Sequence, residues 1–201
     1  MNIENKKISI LGAVRSGIGA AKLAHSLGAM PFVSDMSASE NVKENCLKLS
    51  ELNIDFEYGG HSDKVYDCDF VVTSPGVPND SEVLRKCREK NIKVLSEIEF
   101  ASWYCKGKTI PITGTNGKTT TTSLCAHTLN VGGIKTYLAG NIGTAFSEIV
   151  FKVKENEFVA LETSSFRGEA ISDVFRRRRR IYQQMLDKIR LHVCGREIGI
   201  F

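Results

Sequence analysis

Short apolar runs alternate with helix-length segments along most of the chain, and this alternation limits the possible fold more than any other feature. KISIL (7–11), PFVSD (31–35), IDFEY (54–58), DFVVTSPG (69–76) and IKVLS (92–96) read as strands. Between them lie a helix carrying Ile18, Ala21, Leu23, Ala24 and Leu27 that stops at Gly28, a helical pattern over 39–52, and a charged helix over 80–91 with Val83, Leu84 and Cys87 inward. Parallel strands need crossover connections of this length, so the pattern predicts a mostly parallel sheet with helices on both faces. A break is expected over 97–108, around Trp103, Cys105 and Lys106-Gly107-Lys108. A second α/β unit then opens, with a strand at 109–113, a loop at 114–117, a helix at 118–130 and strands at 134–140 and 157–162.

Composition excludes several classes. The 201 residues are 42% hydrophobic and 25% charged, which is ordinary for a globular chain. No apolar run approaches the ~18–20 residues that span a bilayer. The first residues, MNIENKKISILG, lack a secretory h-region. The six cysteines are never closer than 18 residues, so CxxC motifs and a dense disulfide framework are excluded. A reduced, cytoplasmic protein is expected. The net charge of +4 has a local origin: residues 167–201 carry nine Lys+Arg against four acids, a balance of +5 that leaves −1 for the other 166 residues. The body of the chain is therefore not expected to bind nucleic acid.

Gly114-Thr115-Asn116-Gly117-Lys118-Thr119-Thr120 lies between an apolar strand and a helix start. Glycines admit a polyphosphate close to backbone N–H groups, and the helix N-terminus adds a favourable dipole. Lys118 would reach the β/γ-phosphates and the Thr119 hydroxyl would bind Mg²⁺. Ile112 stands where the usual pattern has its first glycine, and a plain glycine turn capped by threonines is the alternative.

Gly12-Ala-Val-Arg-Ser-Gly17-Ile-Gly19 is a second strand-to-helix glycine cluster, with Val14 at the middle glycine of GxGxxG and Asp35 at the acidic position of a dinucleotide fold. NAD, another diphosphate ligand, or no ligand at all fits this turn. Thr73-Ser74-Pro75-Gly76 and Asn141-Ile142-Gly143 follow strands, where ligands bind in parallel sheets. Glu162 ends a strand and could hold Mg²⁺ directly or through water. His25, His61, His127 and His192 form no metal-ligand spacing.

Taken in order, GTNGKTT (114–120), GNIG (140–143) and LETSSF (161–166) resemble the ATP-binding domain of the Mur ligases. GAVRSGIGAAKLAHSLGA, Asp35 and TSPGVP (73–78) are similar to the branch of that family that adds D-glutamate to UDP-N-acetylmuramoyl-L-alanine. The resemblance covers about residues 6–166. It implies a Rossmann-like UDP-substrate domain at 1–97 and an incomplete P-loop ATP-binding domain at 98–175, with a non-family basic tail at 176–201. It also implies ATP-dependent amide formation for peptidoglycan synthesis in a cytoplasmic monomer, with ATP and Mg²⁺. The substrate carboxylate takes the γ-phosphate to become an acyl phosphate, which the amine of D-glutamate displaces. Positioning and Mg²⁺/Lys electrostatics carry such chemistry. The implied catalytic residues are Lys118, Glu162 and Asn141. Thr119 and Glu162 are the implied magnesium ligands. Arg15, Ser16, Asp35, Ser74, Pro75, Gly76 and Asn141 are the implied substrate contacts.

The chain departs from the family after LETSSF. Arg167 replaces a glutamine, and five arginines at 176–180 stand where a buried strand is expected. A frameshifted or prematurely ended reading frame without complete ligase activity is therefore expected, the alternative being a genuine short paralogue with a basic helical tail, and IYQQMLDKIRLHV (181–193) is expected as an amphipathic helix. The rival expectations are a stand-alone nucleotide or UDP-sugar binding module, an NAD-dependent oxidoreductase, and a basic-tail interaction protein.

Overall fold

The computed structural model describes residues 1–163 and the backbone of 191–193 and 196–198. Two sheets lie within one compact unit, Met1–Phe166.

The first sheet is built from β1 (Lys7–Leu11), β2 (Met30–Asp35), β3 (Asp55–Tyr58), β4 (Phe70–Thr73) and β5 (Val94–Ser96), in the order β3-β2-β1-β4-β5. All four pairings are parallel. The chain builds outward from β1 to β2 and β3, then returns to the other side of β1 for β4 and β5. That reversal opens a crevice beyond the carboxyl ends of β1 and β4. Ile8, Ile10, Val33 and Val72 are buried on the strands, as the near-continuous apolar runs require when helices cover both faces.

Helix α1 (Arg15–Ser26) buries Gly17, Gly19, Ala20, Ala21, Leu23 and Ala24. Its small residues let it approach two partners. A Cβ on Gly17 would fall 1.7 Å from the Gly12 carbonyl oxygen, and one on Gly19 would fall 2.5 Å from Ser147 Oγ. Helices α2 (Glu40–Ser50) and α3 (Glu82–Glu89) bury Val42, Cys46 and Leu49, and Val83, Leu84 and Cys87.

The expected break at 97–108 holds a further helix, α4 (Glu97–Ser102). The Ser96 hydroxyl accepts from the Glu99 N–H at 3.1 Å. Ser96-Glu97-Ile98-Glu99 is thus a Ser-x-x-Glu start signal. Phe100, fully buried, packs against Phe70, Trp103 and Tyr104 with ring centroids 5.7–6.1 Å apart.

The second sheet has the order β6-β8-β7, from β6 (Lys108–Ile112), β7 (Thr136–Gly140) and β8 (Phe158–Glu162), all parallel. Helix α5 (Lys118–Val131) follows β6, and the short α6 (Phe146–Ile149) follows the turn after β7. Ile112 and Gly140 both pair with Glu162, so three strands end together.

Beyond residue 163, β9 (Leu191–Val193) and β10 (Arg196–Ile198) pair antiparallel. Leu191, His192 and Val193 are therefore strand and not the end of the amphipathic helix expected over 181–193. The rest of that helix, Ser164 to Phe166 of LETSSF, Arg167 and the arginine run lie outside the described residues.

Candidate functional site

The crevice at the strand reversal is a cavity of about 1030 Å³. The carboxyl ends of β1, β2 and β4 and the amino end of α1 supply Gly12, Arg15, Ser16, Asp35 and Ser74–Gly76 to its walls, and Asn141 reaches it from the second sheet. All seven expected substrate contacts therefore meet in one space.

Their local roles differ. Asp35 fixes the cavity's shape: its Oδ2 accepts from the Ala13 N–H at 2.6 Å and its Oδ1 from the Ser37 N–H at 2.8 Å. One carboxylate thus holds both the glycine turn and the start of the β2–α2 loop. Gly12 has φ +99°, and a Cβ there would lie 2.8 Å from Ser74 Oγ, so only glycine lets the two turns meet. Ser74 Oγ and Ser81 Oγ are buried against the cavity and have no hydrogen-bond partner among the described residues. A buried hydroxyl left unpaired is costly, and a polar ligand would relieve that cost.

Arg15 spans the two sheets. Its guanidinium donates to the Gly143 carbonyl at 2.6 Å and to the Asn141 carbonyl at 3.0 Å. Both bonds go to the turn after β7, so Arg15 fastens the glycine turn of the first sheet to the second. Glu97 makes a second, buried link. It is 2% exposed and accepts from the Ser147 N–H at 2.7 Å. Burial pushes its carboxyl above the ordinary range, and the hydrogen bond from Ser147 offsets only part of that.

The other neighbourhood is the loop between β6 and α5. Gly114 has φ +155° and Gly117 has φ +72°, the second as the residue preceding the helix. Lys118 Nζ donates to the carbonyls of Gly114 at 2.7 Å and Thr115 at 3.4 Å, so the amine lies over the loop. The Thr119 hydroxyl donates to Glu162 Oε2 at 2.8 Å. The four orphan N–H groups of a helix start and an adjacent amine suit a polyphosphate. One hydroxyl and one carboxylate suit Mg²⁺, which is ordinarily held by one or two carboxylates together with phosphates and water. Among the described residues no group of three or more His, Cys, Asp or Glu could hold a metal alone.

Asn141 joins the two neighbourhoods. It lines the cavity, its carbonyl accepts from Arg15, and its N–H donates to the Glu162 carbonyl at 3.0 Å. Gly140 permits this contact, since a Cβ there would lie 2.2 Å from that same carbonyl oxygen.

Sequence reasoning missed His61, Met36, Ser37 and Val77 on the cavity wall. His61 follows Gly59-Gly60 at the carboxyl end of β3, and that placement was the available signal.

Comparison with known proteins finds related sequences over most of the chain. Residues 8–83 match the family model of the MurD N-terminal domain, and residues 112–176 match that of the Mur ligase middle domain. The chain is 43% identical over 171 residues to the UDP-N-acetylmuramoylalanine–D-glutamate ligase of Chloroherpeton thalassium, covering 83% of this chain and 36% of that protein. It is 41% identical over 173 residues to the protein of the same name from Pelodictyon phaeoclathratiforme, covering 84% and 37%. Among solved structures it is similar to the UDP-N-acetylmuramate–alanine ligase of Thermotoga maritima, with 23% identity and a TM-score of 0.48, covering 79% of this chain and 37% of that one. The chain thus spans somewhat over a third of the length of the curated relatives it matches.

Proposed function

Because the chain belongs to the Mur ligase family, we propose that it carries the nucleotide-handling part of an ATP-dependent ligase that adds D-glutamate to UDP-N-acetylmuramoyl-L-alanine. In this reading the protein acts in the cytoplasm, and no helix among the described residues is long and apolar enough to cross a membrane. The observation that carries the reading is the path from the cavity through Asn141 to the Glu162–Thr119 pair. A UDP-linked substrate lying in the cavity with its diphosphate toward the amino end of α1 would direct its far carboxylate at the second sheet. ATP would lie along the loop 114–120. When bound, ATP supplies the phosphoryl group that activates the carboxylate.

The chain's own groups would then act by position and charge. Lys118 leaves the Gly114 carbonyl for the phosphates. Thr119 and Glu162 hold Mg²⁺. Asn141 orients the substrate end against the phosphate site. Arg15 keeps the two loops in register, because a displacement of about 1 Å between reacting groups is costly. Ser16, Ser74, Pro75 and Gly76 line the nucleotide half.

The experiment is calorimetric titration of the 201-residue chain with UDP-N-acetylmuramoyl-L-alanine and, separately, with ATP–Mg²⁺. The proposal expects saturable binding of both. Heat from NAD with none from the UDP-sugar would replace it with the oxidoreductase reading.

A further inference from the structure

The cavity wall at the end of β2 holds a hydrogen-bond relay that no step above uses. Ser34, fully buried, has its hydroxyl 2.7 Å from Glu57 Oε1 and 2.6 Å from His61 Nδ1. The same Glu57 oxygen accepts from the Ser62 N–H at 2.9 Å. Burial alone would raise the Glu57 pKa, but the hydrogen bonds from Ser62 and Ser34 hold it below the ordinary value. Glu57 is thus an ionised acceptor, and a carboxylate has no proton to give.

That fixes the protons along the relay. The single Ser34 hydroxyl proton must go to Glu57. His61 Nδ1 must then carry a proton and donate it to Ser34 Oγ, because two facing lone pairs at 2.6 Å would repel. Burial lowers the His61 pKa against the pull of Glu57 and Asp35, which favours the neutral ring. A neutral ring protonated at Nδ1 has an acceptor lone pair at Nε2. Among the described residues Nε2 has no hydrogen-bond partner, and the ring lines the cavity.

We infer that His61, held in this tautomer by the Glu57–Ser34 relay, accepts a hydrogen bond through Nε2 from the nucleoside half of the bound ligand. This rests on the reading of the cavity as a UDP-substrate site. A phosphate is disfavoured at this end, because the negative charges of Asp35 and Glu57 near the ring repel an anion; among the described residues the only cation on the cavity wall is Arg15, at the amino end of α1. Two nucleoside donors fit: the imide N–H of the base and a ribose hydroxyl. Asp35, the expected partner of such a group, already accepts main-chain N–H bonds on both oxygens, whereas His61 Nε2 is uncommitted.

The test uses the full chain and UDP as the probe. Long-range ¹H–¹⁵N spectra of the free protein should show His61 protonated at Nδ1, and Ser34→Ala should shift the ring toward the other tautomer. By calorimetry, His61→Leu should weaken UDP about three- to tenfold, as expected for one net hydrogen bond. Ser34→Ala should weaken it in the same direction. The analogue that lacks the matching donor, 3-methyluridine diphosphate or 2′-deoxyuridine diphosphate, should bind wild type and His61→Leu alike. A proton on Nε2 in the free protein overturns the inference. So does wild-type affinity in His61→Leu, or a full loss for both analogues in the variant. If wild type does not bind UDP, the substrate reading fails and the inference falls with it. UDP bound equally by wild type and His61→Leu removes the inference alone.

Discussion

Thr119 and Glu162, 43 residues apart in sequence, meet through a 2.8 Å hydrogen bond from the threonine hydroxyl to the carboxylate. The bond joins the first turn of α5 to the end of β8, and Glu162 is only 6% exposed. The carboxylate and the hydroxyl are positioned by two rigid elements, and in the proposed reading they are the groups that would hold Mg²⁺. Lys118→Ala should abolish ATP–Mg²⁺ binding. Thr119→Ala should weaken ATP about 10- to 100-fold in the presence of Mg²⁺, the range for a lost contact to a charged group, and much less without the ion. Thr119→Ser should retain most of the affinity. Calorimetry with and without Mg²⁺ reads all three. Equal ATP affinity in wild type and Lys118→Ala contradicts the assignment of this loop.

Glu97 is expected to give the fold a pH dependence. Its carboxyl is raised by burial, so the native state holds its proton at pH values where the unfolded chain has released it. The sign follows: its favourable contribution is complete below the unfolded pKa and is lost as pH rises through the folded one. Glu97→Gln keeps an acceptor for the Ser147 N–H without the ionisable group. The variant should match wild type near pH 4 and exceed it by a margin that widens toward pH 9. Urea denaturation across that range measures the margin. A margin independent of pH would show that Glu97 does not titrate with a raised pKa.

Gly17 tests the joint between α1 and the glycine turn. An added Cβ would lie 1.7 Å from the Gly12 carbonyl oxygen, with Ser74 Oγ 3.1 Å away. The carbonyl belongs to the backbone and cannot rotate aside. Gly17→Ala should cost at least about 3 kcal/mol, at the top of the usual range for one substitution. It should also deform the cavity. Gly76→Ala is the control, since a Cβ there meets nothing within 4 Å. Comparable thermal stability of the two variants would contradict the close approach.

Most of the fold could be read from the sequence because its strands are apolar runs bounded by glycine or polar turns. KISIL and PFVSD fall on β1 and β2 within one residue. Helix α4 is not legible from periodicity, because its six residues make less than two turns. Its capping signal, Ser96 to Glu99, was the legible part. Local parts of the candidate site are legible in the sequence. The loop 114–120 is contiguous and its chemistry follows from residue type. Contacts across the sheet were not legible. Nothing in the neighbours of Arg15 announces that its two terminal nitrogens donate to Gly143 and Asn141, more than 120 residues away. His61 has no metal-ligand spacing, and its partner Ser34 comes from the neighbouring strand β2, which no local pattern announces.

In the proposed arrangement two nucleotide sites lie at the ends of two parallel sheets and meet at Asn141. Backbone amide shifts of the ¹⁵N-labelled chain, recorded during separate titrations, test it most directly. UDP-N-acetylmuramoyl-L-alanine should move the amides of 12–17, 35–37, 74 and 76, while ATP–Mg²⁺ moves those of 114–120. Asn141 should respond to both. Shifts at 12–17 and 35–37 on adding NAD, with those amides unmoved by the UDP-sugar, would contradict that arrangement.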